Sequence, residues 1–227
     1  MREPLLDKLD RKIGRYALRN LMMIIVVGTG IVWLLETIVS AKTETSILWY
    51  LYFSPTLILE GQVWRLVTFL FVPDTLSLFS LALSLYLDWL IGSALENQWG
   101  SLKFDLFYLC GWLGAVASGF ITGYATNYYL HLSMFLAFAL LYPDFTLYIF
   151  FILPVKMKWL AVVCGIGLAV LFILEGWAGR LALIMALLNV LLFFWGVMWR
   201  SFRQYRRRKK WQKEARRKDD NNYPFDL

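Results

Sequence analysis

Charge is scarce in this 227-residue chain: Asp, Glu, Lys and Arg make up 17% of it, against 59% hydrophobic and 18% aromatic residues. A soluble domain carries roughly 25% charged and 45–50% apolar residues, so the scarcity excludes a soluble globule, and the high hydrophobicity excludes a disordered chain. Cysteine is nearly absent. Cys110 and Cys164 both lie inside apolar runs, which excludes a disulfide scaffold and reports nothing on redox compartment. His131 is the single histidine, and neither a metal nor a cofactor is expected. A hydrocarbon core about 30 Å thick takes about 20 apolar residues per helix, so this length holds five to seven spans and no second domain.

The first apolar stretch, 21–39, follows a leader holding Arg2, Lys8, Arg11, Lys12, Arg15 and Arg19. Val39-Ser40-Ala41 has the small residues of a cleavage site, but the stretch is at or beyond the length of a signal peptide's apolar region, so an uncleaved first span is expected. Further spans are expected at 76–95, 104–121, 130–142, 160–174 and 181–199, divided by charge, proline or glycine. The fourth is short for a crossing, and is either buried among the others or extended through Asn127-Tyr128-Tyr129. The apolar run 146–153, between Pro143-Asp144 and Pro154, is too short to span and is expected to be an interfacial connection. The chain thus divides into a basic segment 1–20, an all-α membrane domain 21–199 of six helices, and a basic tail 200–227 whose polar close is expected to be disordered.

Basic residues test that count, because Lys and Arg concentrate in cytoplasmic segments beside the membrane. Six precede Leu21 and eleven lie within 200–218, leaving only Lys42, Arg65, Lys103, Lys156, Lys158 and Arg180 between. Both ends are therefore expected in the cytoplasm, which requires an even number of crossings. Glu36 and Glu175 fall at outer helix ends and are expected to face solvent.

Between the first two helices, residues 43–74 interleave Trp49, Tyr50, Tyr52, Phe53, Trp64, Phe69 and Phe71 with Pro55, Gly61 and Pro73. That composition suits a loop lying in the outer headgroup layer, where amphipathic rings settle.

Gly61-Gln62-Val63-Trp64-Arg65-Leu66-Val67-Thr68-Phe69-Leu70-Phe71 resembles the segment by which rhomboid intramembrane proteases enter their second helix. Gly92-Ser93-Ala94-Leu95-Glu96-Asn97-Gln98-Trp99-Gly100-Ser101 is similar to the turn joining their second and third helices. The resemblance covers about 48–199 and implies a six-helix rhomboid-like bundle with an interfacial loop between helices 1 and 2. Its setting would be the plasma membrane of a bacterium.

Active rhomboids carry a Gly-x-Ser-Gly nucleophile on the fourth helix, a histidine on the sixth, and a His-x-x-x-Asn pair on the second. Here those second-helix positions are Ser80 and Ser84, and His131-Leu132-Ser133-Met134 stands where the nucleophile motif would be, so Ser133 takes the serine position without flanking glycines. A serine needs an adjacent base. His131, two residues before Ser133, does not face it on a helix, no lysine falls in an expected span, and the sixth helix offers no base. No catalytic residue is assigned, and the resemblance implies a pseudoprotease that binds or escorts membrane-protein segments without cutting them. A divergent hydrolase using Ser133 and a small-solute carrier are the alternatives; the carrier lacks internal repeats and paired broken helices.

Asp88 is a carboxylate within an apolar helix, where ionisable groups mark partners or wet cavities. Ser80, Ser84 and Asp88 recur every fourth residue, so they share a side that can form a polar groove with His131 and Ser133; alternatively Asp88 reaches water or a tail arginine near the helix end. Trp64 and Arg65 complete the expected binding set, and Glu96, Gly100, Gly111, Gly119 and Gly123 are expected structural positions. Gly111, Ala115, Gly119 and Gly123 also recur every fourth residue, as do Ala161, Gly165 and Ala169, and Ala178, Ala182 and Ala186. Small residues so spaced allow close helix packing, within one bundle or in a homodimer. Arg206, Arg207, Arg208, Lys209 and Lys210 form a run that either anchors topology or binds anionic lipid, at about 1 kcal/mol per residue. No nucleic-acid partner is expected.

Overall fold

The computed structural model describes residues 17–43, 45–149 and 153–193. The basic leader up to residue 16 and the expected lipid-binding run Arg206, Arg207, Arg208, Lys209 and Lys210 lie outside the described residues. In order, α1 is Leu21–Thr43, α2 Pro55–Leu59, α3 Arg65–Thr68, α4 Leu78–Trp99, α5 Ser101–Thr122, α6 Tyr128–Leu141, β1 Thr146–Ile149, β2 Leu153–Lys156 and α7 Met157–Leu174. A last helix, α8, is Trp177–Phe193. Helices α1, α4, α5 and α7 are each long and apolar enough to cross a membrane, while α6 and α8 are shorter apolar helices. The protein is a helical membrane protein with four such helices among the described residues.

At 14 residues, α6 rises about 21 Å, short of a hydrocarbon core of about 30 Å. Both expectations for it hold together: it begins at Tyr128, just after Asn127, and it buries Leu130, Ser133, Met134, Ala137, Phe138 and Ala139. It packs against α4, α5 and α7.

The turn between α4 and α5 is shorter than expected. Helix α4 runs through Glu96-Asn97-Gln98-Trp99, leaving Gly100 alone to turn the chain, at φ 84° and ψ 153°. Glu96 holds the turn from inside: its Oε1 accepts the Ser101 hydroxyl at 2.7 Å and the Asn20 amide at 3.0 Å, and Asp105 accepts the Leu18 amide at 2.7 Å. The entry to α1 is thereby tied to the α4–α5 turn. Carboxylates that accept backbone N–H groups satisfy donors a helix N-terminus would leave open.

The 45–74 segment is more ordered than a loose interfacial loop. It contains two 3-10 turns, Ile47–Tyr50 and Phe69–Phe71, besides α2 and α3. Phe53, Phe69, Leu70 and Val72 are buried, while Trp49 and Tyr50 are exposed. Phe53 stacks edge-on with Phe69 and Phe120, both at 5.6 Å. Gly119 makes this approach possible, since a Cβ there would stand 2.6 Å from a Phe53 ring carbon and 2.8 Å from Ala125 Cβ. From α5, the Trp112 indole donates to Leu66 O at 2.8 Å.

Two expectations are corrected here. Glu36 does not face solvent: it is 4% exposed, and its Oε2 accepts the Ile47 amide at 2.9 Å, so it caps the first 3-10 turn. The all-α expectation also yields at 146–156, where β1 and β2 pair antiparallel, Thr146 opposite Lys156 and Ile149 opposite Leu153. A two-stranded ribbon satisfies backbone groups that a short non-helical run would otherwise leave open, and Pro154 fits because the ribbon has a free edge.

Candidate functional site

Asp88 and His131 meet where α4 faces α6. His131 Nδ1 lies 2.9 Å from Asp88 Oδ1, with about a sixth of each side chain exposed. Asp88 therefore has a partner on the facing helix; the tail arginines lie outside the described residues. Nε2 of His131 is buried with no hydrogen-bond partner. Around the pair, Thr29, Asp74, Ser84 and Asn127 line a polar cavity of about 10 Å³, measured to the centre of a water-sized sphere. That is room for about one water, and these groups supply enough polar partners to hold it.

Of the residues expected to form a polar groove, the structure brings together Ser84, Asp88 and His131 and leaves two apart. Ser80 is exposed and lines no part of the cavity. Ser133, 0% exposed, points its hydroxyl back along its own helix and donates to Leu130 O at 2.7 Å. Ser84 likewise donates to Leu81 O at 3.0 Å. Such i−3 bonding is how a hydroxyl in an apolar helix satisfies itself when no other partner is in reach.

Arg65, expected in the binding set, braces its own segment. It is 4% exposed; Nη1 donates to Trp49 O at 2.7 Å and Tyr52 O at 2.8 Å, and Nε to Gln62 Oε1 at 2.7 Å. The planar fork with several donors reaches converging carbonyls that an ammonium could not. Trp64, half exposed, donates its indole N–H to Tyr50 O at 3.2 Å.

Three polar residues escaped the sequence reading. Asn127 is buried and its amide donates to Leu70 O at 3.3 Å and Val72 O at 3.0 Å, binding the 45–74 segment to the start of α6. Asn189 on α8 donates to Phe107 O at 3.3 Å beside Gly111. Asp74 lines the polar cavity from above α4; burial pushes its carboxyl above the usual 3.8, His131 opposes that rise and Asp88 adds to it. Pro73-Asp74 was readable as a turn, but nothing in the sequence places it over His131.

A second, larger cavity of about 670 Å³ opens between α5, α6 and α8. Gly111, Ala115, Ala178, Ala182 and Ala186 line it, so the small-residue stripes of α5 and α8 leave space between the helices as well as packing them. On α7, the position of a Gly165 Cβ is open. Among the described residues no group of three or more His, Cys, Asp or Glu is placed to hold a metal ion. Comparison of the chain with protein-family models, with curated proteins and with solved structures finds no match.

Proposed function

We propose that this chain is a rhomboid-like pseudoprotease of six membrane helices, with both ends in the cytoplasm, that binds or escorts membrane-protein segments within the bilayer without cleaving them. The observation that supports it most is the separation of hydroxyl from base. Ser133 is buried and bonded to Leu130 O, while the one histidine is joined through Nδ1 to Asp88. A serine nucleophile needs a base within hydrogen-bond reach and donors for the oxyanion. Ser84, at one of the oxyanion positions implied by the resemblance, is turned to Leu81 O, and Ser80 is exposed.

What remains is a polar centre in apolar surroundings, formed by Asp88, His131, Ser84 and Asp74. A polar residue in a client helix that reaches the exposed sixth of Asp88 and His131 finds there the partner that lipid denies it. Co-reconstitution with a single-span client carrying one intramembrane Asn, followed by crosslinking and mass analysis, tests both halves of the reading. The expected result is a crosslink weakened by Asp88→Leu and kept by Asp88→Asn, with the client intact. A shortened client whose appearance needs Ser133 restores the divergent hydrolase; no preference for the Asn client over its Leu counterpart removes the binding role.

A further inference from the structure

The 670 Å³ cavity has two chemically different ends. Its floor is the small-residue surface of α5 and α8, with Leu130, Leu171 and Met185 beside it. Its mouth, at the end of α5, the start of α6 and the α7–α8 connection, carries Asp74 and Glu175 together with Tyr124, Tyr128 and Tyr129. Among the described residues neither carboxylate is in an ion pair. The nearest base in sequence, Arg180, donates to Phe172 O at 2.7 Å and Ile173 O at 3.0 Å and lies over the Phe172 ring. Among the described residues the mouth is lined by two carboxylates and no basic side chain, and the base close to Asp74 is His131, which shares the polar cavity with it and is paired with Asp88.

The tyrosines add a second feature of the same sign. Tyr128 and Tyr129 stand edge-on, 5.4 Å between centroids and 80° between planes, so their rings form two walls of a corner. Tyr129 is within electrostatic reach of Glu175, and Tyr124 of Asp74. Aromatic faces beside carboxylates attract a cation, most strongly where water is scarce. An anionic head would meet two carboxylates that line the same mouth, and a neutral head would leave Glu175 without an opposite charge.

The cavity's size limits the occupant as well. Clefts of roughly 300–1,000 Å³ suit single small molecules, whereas a helix about 10 Å or more across needs a longer trough. The apolar floor below a charged mouth fits a chain attached to a head.

We propose that this groove binds an amphiphile with an alkylammonium head, the cation between Asp74 and Glu175 against Tyr128 and Tyr129 and the chain along Ala115 and Ala182. The site is separate from Ser133 and stands whether or not the pseudoprotease reading does. The purified full-length protein in a neutral maltoside detergent is dialysed against radiolabelled dodecyltrimethylammonium, with empty micelles as background. Saturable binding is expected, displaced by unlabelled cation and not by dodecyl sulfate. Asp74→Asn and Glu175→Gln, which keep side-chain volume, each weaken it about tenfold, and Ala182→Leu, which fills the floor, abolishes it while the anion-competition profile of the two carboxamide variants checks the mouth independently of folding at Ala182. Equal displacement by dodecyl sulfate, or unchanged affinity in both carboxamide variants, overturns the proposal. The head could come from a lipid or a free amphiphile: displacement by phosphatidylethanolamine in nanodiscs and not by phosphatidylglycerol identifies a lipid amine, and displacement by neither identifies the free alkylammonium.

Discussion

Arg65 holds three stretches of its segment together through single hydrogen bonds, to Trp49, Tyr52 and Gln62. Arg65→Ala strands two carbonyls in a buried place and should destabilise by about 2–4 kcal/mol, read as a fall in unfolding midpoint; a change under about 0.5 kcal/mol, the range of ordinary surface substitutions, would mean the fork is ornamental. Arg65→Lys should recover part of the loss, since an ammonium cannot span those carbonyls. The sequence showed that a lone arginine sat among aromatics, but an arginine aimed at a ligand and one aimed at its own backbone look alike until the carbonyls are placed. Asp74 shows the same limit, with a pH consequence. Because burial raises its pKa, with His131 opposing and Asp88 and the groove's Glu175 and Tyr124 nearby, the folded protein holds the proton more tightly than the unfolded chain. The ionised form therefore costs stability above the unfolded value of 3.8. Asp74→Asn should raise stability at neutral pH, by no more than about 1 kcal/mol for a group only partly buried, and the gain should shrink as pH falls through the raised pKa toward 3.8. A gain that grows on acidification contradicts the burial.

The α4–α5 turn rests on one backbone conformation. At φ 84° and ψ 153°, Gly100 occupies a region that side chains avoid, so Gly100→Ala should cost about 1–3 kcal/mol even though open space surrounds the position; equal unfolding midpoints would show that the turn relaxes. Gly92, Glu96, Gly100 and Ser101 were legible as a motif, but the length of the turn was not, because Asn97-Gln98-Trp99 continues a helix as readily as it ends one. Of the expected spans, 21–39, 76–95, 104–121 and 160–174 meet helices long and apolar enough to cross, while 130–142 and the described part of 181–199 meet shorter apolar helices, since long apolar runs between charges leave no other solution in lipid. The β1–β2 ribbon was not legible. Eight apolar residues between prolines have neither the length of a helix nor the alternation of an amphipathic strand, and what decided the matter was the pairing of 146–149 with 153–156, which no local signal announces.

At the scale of the molecule, scarcity of charge fixed the membrane class, and the two basic ends fixed the expected orientation. Reporters fused before Met1 and after Leu227 should both read cytoplasmic, because six and eleven basic residues lie near those ends; opposite sides would remove the six-crossing core. The cavities were beyond the sequence, because a small-residue stripe reads the same whether helices close on it or stand apart, as α5 and α8 do around the 670 Å³ groove. The expectation that Ser133 is idle rests on one histidine two residues away, and loss of base and oxyanion donors costs about 10⁴-fold or more in rate. The central claim is tested most directly by a fluorophosphonate probe on the purified protein, beside an active rhomboid in the same detergent. No labelling above that of Ser133→Ala is predicted, whereas labelling of the unaltered protein that disappears in Ser133→Ala would contradict the account.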